Sequence, residues 1–404
     1  MQTSSTISDE MDYLQMLTVM KTESGVGGSR PSRGAVCPPS TDKVFIVGGG
    51  PVGLALALDL GRRGSRSTLI ERNSGTGTEF LVKADYLNER SMEICRTLGL
   101  RDEIANAGFP DDVSRDTVFC TSLNGYFIGR LEMPSTQDRM LPSSCREMHR
   151  RCPQFWFDPI LARAVARQGM TSIQYGTEFV SLEQDNTGVT CRVRRGEDGA
   201  DEEIRADYLV GCDGLASRVR KAVGIEWSGL QLGYSVSVIV KVDNLGQYHP
   251  LRMGERYMFI GPEGVWSNLT AIDGRQLFRF TVVGSEEKPD PAQVDMYGLV
   301  RRAFGRDDIP GGGKMIAGLE QEFRSLGIAM GYEYSASPAI AVDGSPAPPD
   351  EPSTYTQISR PGHRAPHCWL DRDKSIIDLY GTGFVLLGFG AGDLGEEKLL
   401  HVAS

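Results

Sequence analysis

Short hydrophobic runs alternate with a helical pattern over residues 44–71, where the composition becomes that of a folded protein. Val44–Val47 is a continuous apolar run that predicts a buried strand, and residues 54–60, after a glycine cluster, predict a helix. Ser67–Glu71 predicts a second strand. Two strands with an intervening helix of this length predict one right-handed βαβ unit.

Downstream, the pattern changes from mixed to almost purely strand-like. Helical periodicity recurs over residues 88–98, where Gly99 ends it, and over residues 158–168. Strand patterns are found at 172–175, 189–193, 208–210, 236–242, 257–260 and 277–283, with no long helix among the last three. Residues 231–310 are therefore predicted to form a separate β-rich domain.

Two stretches have the composition of segments outside a folded core. Residues 1–40 mix Ser, Thr, Gly and Pro with one short apolar patch, so we expect a disordered leader. Residues 335–366 are rich in Pro, Ser and Asp, and we expect residues 311–360 to act as a linker.

Composition and charge narrow the class of protein. The 404 residues are 40% hydrophobic, which is enough for two or three globular domains. The formal charge is −10, without long blocks of either sign, and this argues against binding to nucleic acid or to anionic membranes. Eight cysteines without regular spacing, and the lack of a recognisable secretion signal, favour reduced thiols in a cytoplasmic protein.

The strongest local motif is GGGPVG at residues 48–53, which follows the first predicted strand and opens the predicted helix. Gly48 permits a tight turn, Gly50 lets backbone N–H groups approach a pyrophosphate, and Gly53 allows the helix to pack closely on the strand. Glu71 ends the second strand and is placed to accept hydrogen bonds from a ribose. The pattern predicts dinucleotide binding, with a plain glycine turn as the alternative, and it does not separate FAD from NAD.

A second segment favours a flavin. GCDGLASRVR at residues 211–220 follows the strand pattern at 208–210 and resembles the DGxxSxVR motif of the flavin-dependent aromatic hydroxylases of the phenol and para-hydroxybenzoate hydroxylase type. In that family the segment contacts FAD and the incoming nicotinamide nucleotide, which implies this role for Asp213 and Gly214. Arg220 is expected to lend positive charge to the phosphates.

Two further positions resemble the same family. Arg90, in the helical pattern after the second strand, resembles an arginine near the FAD phosphates, and Gln154 resembles a glutamine near the sugar of the flavin. A solvated helix arginine and a surface amide are the alternatives. The cofactor-binding residues that the resemblance and the glycine motif imply together are Gly48, Gly50, Gly53, Glu71, Arg90, Gln154, Asp213, Gly214 and Arg220.

The resemblance implies an α/β fold with two domains. A Rossmann-like FAD-binding βαβ domain is expected at residues 41–230, interleaved near 110–145 with part of a β-sheet-rich substrate domain whose main part spans 231–310. The implied function is an FAD-dependent monooxygenase that hydroxylates a phenolic or polyketide-like aromatic small molecule with NAD(P)H and oxygen. No catalytic side chain can be assigned from the sequence, no metal site is expected, and a homodimer is left open.

The resemblance breaks in the last third of the chain. Family members carry a third motif after the substrate domain, a strand followed by Gly-Asp, His, Pro and a glycine-rich stretch, and no such segment is recognisable here. FVLLGFGAGD at 384–393 has the strand and the Gly-Asp but neither His, Pro nor glycine loop after it. We expect residues 361–404 to be a truncated thioredoxin-like segment, and we expect weaker binding of the flavin ring.

Two alternatives to an active hydroxylase stay open. The missing motif motivates a catalytically inactive, truncated relative that acts as a binding or accessory protein. The glycine motif with Glu71 also leaves an NAD-dependent dehydrogenase, against which the segment at 211–220 argues.

Overall fold

A computed structural model of the protein describes residues 43–385 apart from 77–83, 108, 142–143, 197–198, 230–232, 286, 288, 291–292, 306–325, 352–353 and 384. The expected leader at 1–40 and most of the expected strand at 384–393 lie outside the described residues.

The strands, in chain order, are β1 (Val44–Val47), β2 (Ser67–Glu71), β3 (Tyr86–Leu87), β4 (Thr117–Cys120), β5 (Phe127–Leu131), β6 (Arg150–Arg151), β7 (Thr171–Tyr175), β8 (Thr177–Asp185), β9 (Gly188–Arg195), β10 (Asp201–Ala206), β11 (Tyr208–Gly211), β12 (Tyr234–Lys241), β13 (Arg256–Gly261), β14 (Gly264–Ala271), β15 (Leu277–Ser285), β16 (Trp369–Asp371) and β17 (Lys374–Ser375). The helices are α1 (Pro51–Arg62), α2 (Glu89–Thr97), α3 (Arg101–Ala105), α4 (Gln154–Gln168), α5 (Arg218–Ala222), α6 (Met296–Phe304) and α7 (Leu326–Gly331), with short 3-10 turns at Leu245–Gln247 and Ile376–Leu379.

A parallel sheet with strand order β11-β1-β2-β7 forms the first body. All four residues of β1 are buried, because α1, α2 and α4 cover one face of the sheet and the small antiparallel sheet β10-β9-β8 covers the other. Strands buried on both faces have continuous apolar sequences, which explains why β1 was predictable from the sequence.

A six-stranded sheet with order β12-β15-β14-β13-β4-β5 forms the second body. Its strands are antiparallel neighbours except for β4, which pairs in parallel with β13. β4 and β5 come from the region near 110–145, so the chain enters this sheet before it completes the first body. One face of the sheet packs the fully buried aromatic residues Tyr257, Phe259, Phe278 and Phe280.

Two predicted boundaries are corrected by the structure. The helix predicted at 158–168 begins at Gln154, one turn earlier, with Pro159 inside it. The region expected to be a linker, 311–360, contains the helix α7, which packs on α2 and buries Ala329 and Met330 against Cys145.

A buried cluster of charged side chains joins the two bodies. Asp85 precedes β3, and its Oδ2 atom lies 3.0 Å from a guanidinium nitrogen of Arg151 on β6 and 3.0 Å from one of Arg279 on β15. Glu255, beside β13, pairs with Arg115 at 3.2 Å and also with Arg151. Each of the two carboxylates therefore connects guanidinium groups from different parts of the chain.

The residues after 360 are anchored to the first body by ion pairs. Arg364 Nε donates to the buried Glu93 Oε2 at 2.9 Å, and Asp378 accepts from Arg96 at 2.8 Å and from Arg146 at 3.2 Å. None of the helices in the described ranges has the length and apolar character needed to cross a bilayer.

Candidate cofactor groove

The glycine turn between β1 and α1 packs closely against the ends of β2 and β11. Gly48 has a φ of 113°, and its N–H donates to the carbonyl of Ile70 at 2.9 Å. A Cβ atom on Gly48 would collide with the carbonyl oxygen of Cys212, and one on Gly53 would collide with the carbonyl oxygen of Gly48. Both positions therefore require glycine to bring β1, α1 and the end of β11 together.

Gly50 faces open space instead. A Cβ atom there would meet only the Nε2 atom of Gln154, at 3.9 Å. Gly50 precedes α1, whose first residue is Pro51, and α1 is a twelve-residue helix with its positive end directed at this space. Backbone N–H groups at such a helix start are a ready-made site for a phosphate.

Glu71 ends β2 beside this turn. Its Oε2 atom accepts a hydrogen bond from the N–H of Gly49 at 2.8 Å, and its Oε1 atom accepts from the N–H of Asn73 at 2.9 Å. A carboxylate offers about four acceptor positions, so two remain for hydroxyl groups in the groove. The structure thus brings the predicted glycine turn and the predicted carboxylate together.

The loop that follows β11 forms the opposite wall. Asp213 Oδ1 accepts from the hydroxyl of Ser217 at 2.5 Å, and Oδ2 accepts from the N–H groups of Arg218 at 2.6 Å and Val219 at 3.2 Å. Gly214 has a φ of 79°, which permits the turn into α5. Asp213 therefore holds the start of α5 while lining the groove. We call residues 211–222 the DG segment.

Together these elements enclose a groove of about 610 Å³, which we call the cofactor groove. Its polar and charged lining residues are Glu71, Arg72, Asn73, Thr76, Gln154, Asp158, Thr177, Glu178, Asp213, Arg218 and Lys221. Burial and the nearby Asp213 charge raise the pKa of the Cys212 thiol to about 11, so this wall residue is a neutral thiol near pH 7.

Seven of the nine predicted residues lie in or form this groove: Gly48, Gly50, Gly53, Glu71, Gln154, Asp213 and Gly214. Gln154 is the first residue of α4, and its Nε2 donates to Asp158 Oδ2 at 3.0 Å, which leaves its amide oxygen available as an acceptor. Gly53 lies beneath the turn, packed against Gly48 and Cys212.

Arg90 and Arg220 are not among the residues that line the groove. Arg90 Nη1 lies 3.3 Å from Glu93 Oε2 on the same helix, and its Nε atom is buried with no hydrogen-bond partner in the described part of the chain. Arg220 lies over the ring of Trp227 and donates to the carbonyl of Ile225. The cofactor roles expected for Arg90 and Arg220 stay predictions.

The positive charges on the groove wall belong to residues that sequence reasoning passed over. Arg218 and Lys221 on α5 and Arg72 after β2 line the groove. Arg218 pairs with Glu178 at 2.7 Å. Helical spacing could have found Arg218 and Lys221, because residues three apart share a face, whereas Arg220 lines the cavity on the other side of α5.

The groove fits the adenosine and pyrophosphate part of a dinucleotide. The space in front of Gly50 is open, and this is where a diphosphate would have to come close to the backbone. Glu71 has acceptor positions left for a ribose. A family model with the description "FAD binding domain" matches residues 41–311. The chain belongs to this FAD-binding family. The match confirms the resemblance seen in the two glycine motifs, and FAD is the cofactor that the family binds.

Curated relatives of this FAD-binding protein include monooxygenases and hydroxylases. A 2,4-dichlorophenol 6-monooxygenase from Delftia acidovorans is 34% identical over 223 residues, which are 54% of this chain and 37% of the relative. The chain thus spans just over a third of the length of that enzyme. Aklavinone 12-hydroxylase DnrF from Streptomyces peucetius is 25% identical over 466 residues, covering 89% of this chain and 93% of the relative.

The alignment with the aklavinone hydroxylase is longer than this chain. Its 466 positions take in only 89% of the 404 residues, so roughly 100 positions are occupied in the relative alone.

Among solved structures, chromopyrrolic acid-soaked RebC superimposes with a TM-score of 0.76 at 26% identity, covering 91% of this chain and 90% of RebC. The fold class predicted from the sequence, an α/β fold with a Rossmann-like FAD-binding domain and a β-rich second domain, is confirmed.

Proposed function

We propose that the protein binds FAD in the cofactor groove and uses it to hydroxylate a phenolic or polyketide-like aromatic molecule with NAD(P)H and oxygen. The observation that carries the proposal is the convergence of the glycine turn at 48–53, the Glu71 carboxylate and the DG segment on one groove. The names of the relatives, a dichlorophenol monooxygenase and an aklavinone hydroxylase, support the reaction and the aromatic substrate class.

The residues of the groove divide the work of holding the cofactor. Backbone N–H groups at the start of α1 would receive the pyrophosphate, and the two free acceptor positions of Glu71 would receive the adenosine ribose. Arg218 and Lys221 would balance the phosphate charge from the opposite wall. Bound FAD would supply the redox chemistry, for which protein side chains have no equivalent.

The aromatic substrate is proposed to bind between the groove and the six-stranded sheet. The backbone of residues 84–85 connects the two places, since Ala84 O accepts from the N–H of Gln154 at 2.9 Å and Asp85 O accepts from that of Cys152 at 3.1 Å. The Asp85 side chain belongs to the buried charged cluster at the second body. A substrate there would contact side chains from both bodies, which would orient its ring and exclude water.

Location in a reducing compartment, the cytoplasm, is part of the proposal. The seven cysteines that the structure describes are all free thiols, as expected where disulfides do not persist.

Oxygen incorporation tests the proposed function. The purified protein, reconstituted with FAD, is incubated with NADPH or NADH, a set of phenols and anthraquinones, and isotopically labelled molecular oxygen. We expect NAD(P)H-dependent oxygen uptake and a product with one labelled oxygen atom. The matched control is Gly50→Ala, whose added methyl group lies in the groove. A holoprotein with tightly bound FAD that oxidises neither nucleotide would contradict the proposal and favour the binding or accessory alternative.

A further inference from the structure

A second cavity lies on the other side of the DG segment. It has a volume of about 290 Å³ and lies between β8, β9, β11 and α5. We call it the edge cavity, because β11 is the edge strand of the parallel sheet in the described part of the chain. Its lining residues are Leu182, Gln184, Val189, Leu209, Gly211, Ser217, Val219, Arg220, Val223 and Ile225.

The lining combines aliphatic side chains with one positive charge. Six lining residues are Leu, Val or Ile, none of the described lining residues is Asp or Glu, and Arg220 is the only one that carries a charge. An anion in the edge cavity would therefore meet an attractive guanidinium without a carboxylate among its neighbours.

Two contacts position the Arg220 guanidinium, and one of its N–H donors has no acceptor among the described residues. Its guanidinium lies 5.1 Å from the centre of the Trp227 ring, and its Nη1 atom donates to the carbonyl of Ile225. Its Nε atom is buried and has no acceptor among the residues that the structure describes. Arg220 belongs to the lining of the edge cavity, so an anion bound there would lie beside it.

We propose that the edge cavity binds a small apolar carboxylate, of the size of a single-ring aromatic acid. The carboxylate would accept from Arg220, since guanidinium and carboxylate groups match in a planar, charge-assisted geometry. The ring or short chain would occupy the space between Val189, Leu209 and Val223. The volume is at the lower end of the range for ligand pockets, which excludes a molecule as large as a polyketide.

The edge cavity and the cofactor groove share one hydrogen-bonded unit. Ser217 lines the edge cavity, while its hydroxyl donates to Asp213, which lines the groove. The same hydroxyl accepts from the N–H of Arg220 at 2.9 Å. Along α5 the faces alternate: Arg218 and Lys221 line the groove, and Val219 and Arg220 line the edge cavity.

A ligand in either place would hold the DG segment in the conformation that the other ligand requires. We therefore infer positive coupling: the carboxylate in the edge cavity tightens FAD binding, and by thermodynamic reciprocity FAD tightens carboxylate binding by the same factor. The carboxylate site stands without the proposed function, whereas the coupling rests on it.

Benzoate titration tests the site. Isothermal titration calorimetry with sodium benzoate, supported by the fluorescence of Trp227 beside Arg220, is carried out on the purified full chain. We expect Arg220→Gln to weaken benzoate binding at least tenfold and Arg205→Gln to leave it unchanged. Arg205 is the matched control, because it is an exposed arginine of β10 that pairs with Asp185.

Two further measurements separate loss of the site from loss of the fold. Ile225→Trp places a larger side chain at a position that is 60% exposed, so the fold should tolerate it while the cavity is filled and benzoate is excluded. Benzyl alcohol has the same ring without the charge, and we expect it to bind at least tenfold more weakly than benzoate. Equal binding of benzoate by wild type and Arg220→Gln, equal binding of benzyl alcohol and benzoate, or no binding at all would overturn the site.

The coupling is read from FAD titrations with and without saturating benzoate. We expect the Kd of FAD to fall at least fivefold, and the Kd of benzoate to fall by the same factor when FAD is saturating. Arg220-dependent benzoate binding with an unchanged Kd of FAD would overturn the coupling. Arg220-dependent benzoate binding by a folded protein that does not bind FAD would refute the proposed function and leave the edge cavity in place.

Discussion

At the scale of single residues, the glycines of one motif serve different purposes. Gly48 is required by the protein itself, because its φ of 113° and its contact with the carbonyl of Cys212 exclude a side chain. Gly50 has room for a Cβ atom, so the folded protein does not require glycine there. The open space in front of Gly50 leaves its backbone accessible to another molecule.

Substitution by alanine separates the two roles. We expect Gly48→Ala to lower the free energy of unfolding by about 1–3 kcal/mol, because it adds strain at a positive φ. We expect Gly50→Ala to change it by less than about 0.5 kcal/mol and yet to raise the Kd of FAD about tenfold or more. Urea unfolding and FAD titration of both variants check this. Gly50→Ala with wild-type FAD affinity would contradict the account of the groove.

A buried histidine gives stability a pH dependence. Burial lowers the pKa of His149 below its usual value of 6.5, although the hydrogen bond that its ring donates to the Glu89 carboxylate opposes this. Since the folded pKa lies below the unfolded one, the stabilisation is present above pH 6.5 and is lost as the pH falls through the folded pKa. His249 acts in the same direction.

We expect the unfolding free energy to decline as the pH is lowered from 7 to 5, and to decline less steeply in His149→Gln, with a remainder due to His249. Urea titrations at several pH values measure this slope. An identical slope in wild type and His149→Gln would show that His149 titrates as it does in the unfolded chain.

The role of a single residue could be predicted where it follows from the backbone pattern, but not where it depends on the direction of the side chain. Glu71 was predictable, because the end of a strand next to a glycine turn fixes its place. Arg220 was not, because the motif contains Arg218 and Arg220 two residues apart, and only the orientation of α5 decides which of them faces the groove.

At the scale of elements, periodicity located the helix α4 but not its first turn. The apolar positions at Ile160, Leu161, Ala164 and Val165 predict a helix over residues 158–168. The helix instead begins at Gln154, after Pro153, and continues through Pro159. The earlier start places Gln154 and Asp158 on the wall of the groove, one turn apart and hydrogen-bonded.

The buried charged cluster is the element-scale contact that the sequence did not reveal, since its members are far apart in the chain. We expect Glu255→Gln to destabilise the protein by about 3–5 kcal/mol, because Arg115 and Arg151 would lose a buried partner. Glu203→Gln, in an exposed pair with Arg192, is the control and should cost at most about 1 kcal/mol. Chemical denaturation compares them, and equal effects would show that the cluster does not hold the two bodies together.

At the scale of the whole molecule, the chain combines the FAD-binding body with the six-stranded sheet, and the family model matches it as far as residue 311. Residues 360–380 are nevertheless tied to α2 by Arg364 and Asp378, so this segment is part of the described fold. The two bodies could be predicted from the hydrophobic periodicity of the sequence. It could not predict these ties, because ion pairs between segments more than 200 residues apart leave no local pattern.

The most direct measurement of the central claim is the binding of FAD to the purified apoprotein, followed by flavin absorbance and fluorescence, for wild type and Glu71→Gln. We predict one FAD per wild-type chain and a Kd about tenfold or more higher for Glu71→Gln, since a hydrogen-bonding carboxylate that receives the ribose contributes about 1.5–3 kcal/mol. A folded wild-type protein that binds no FAD, or a Glu71→Gln variant that binds it equally well, would contradict the account.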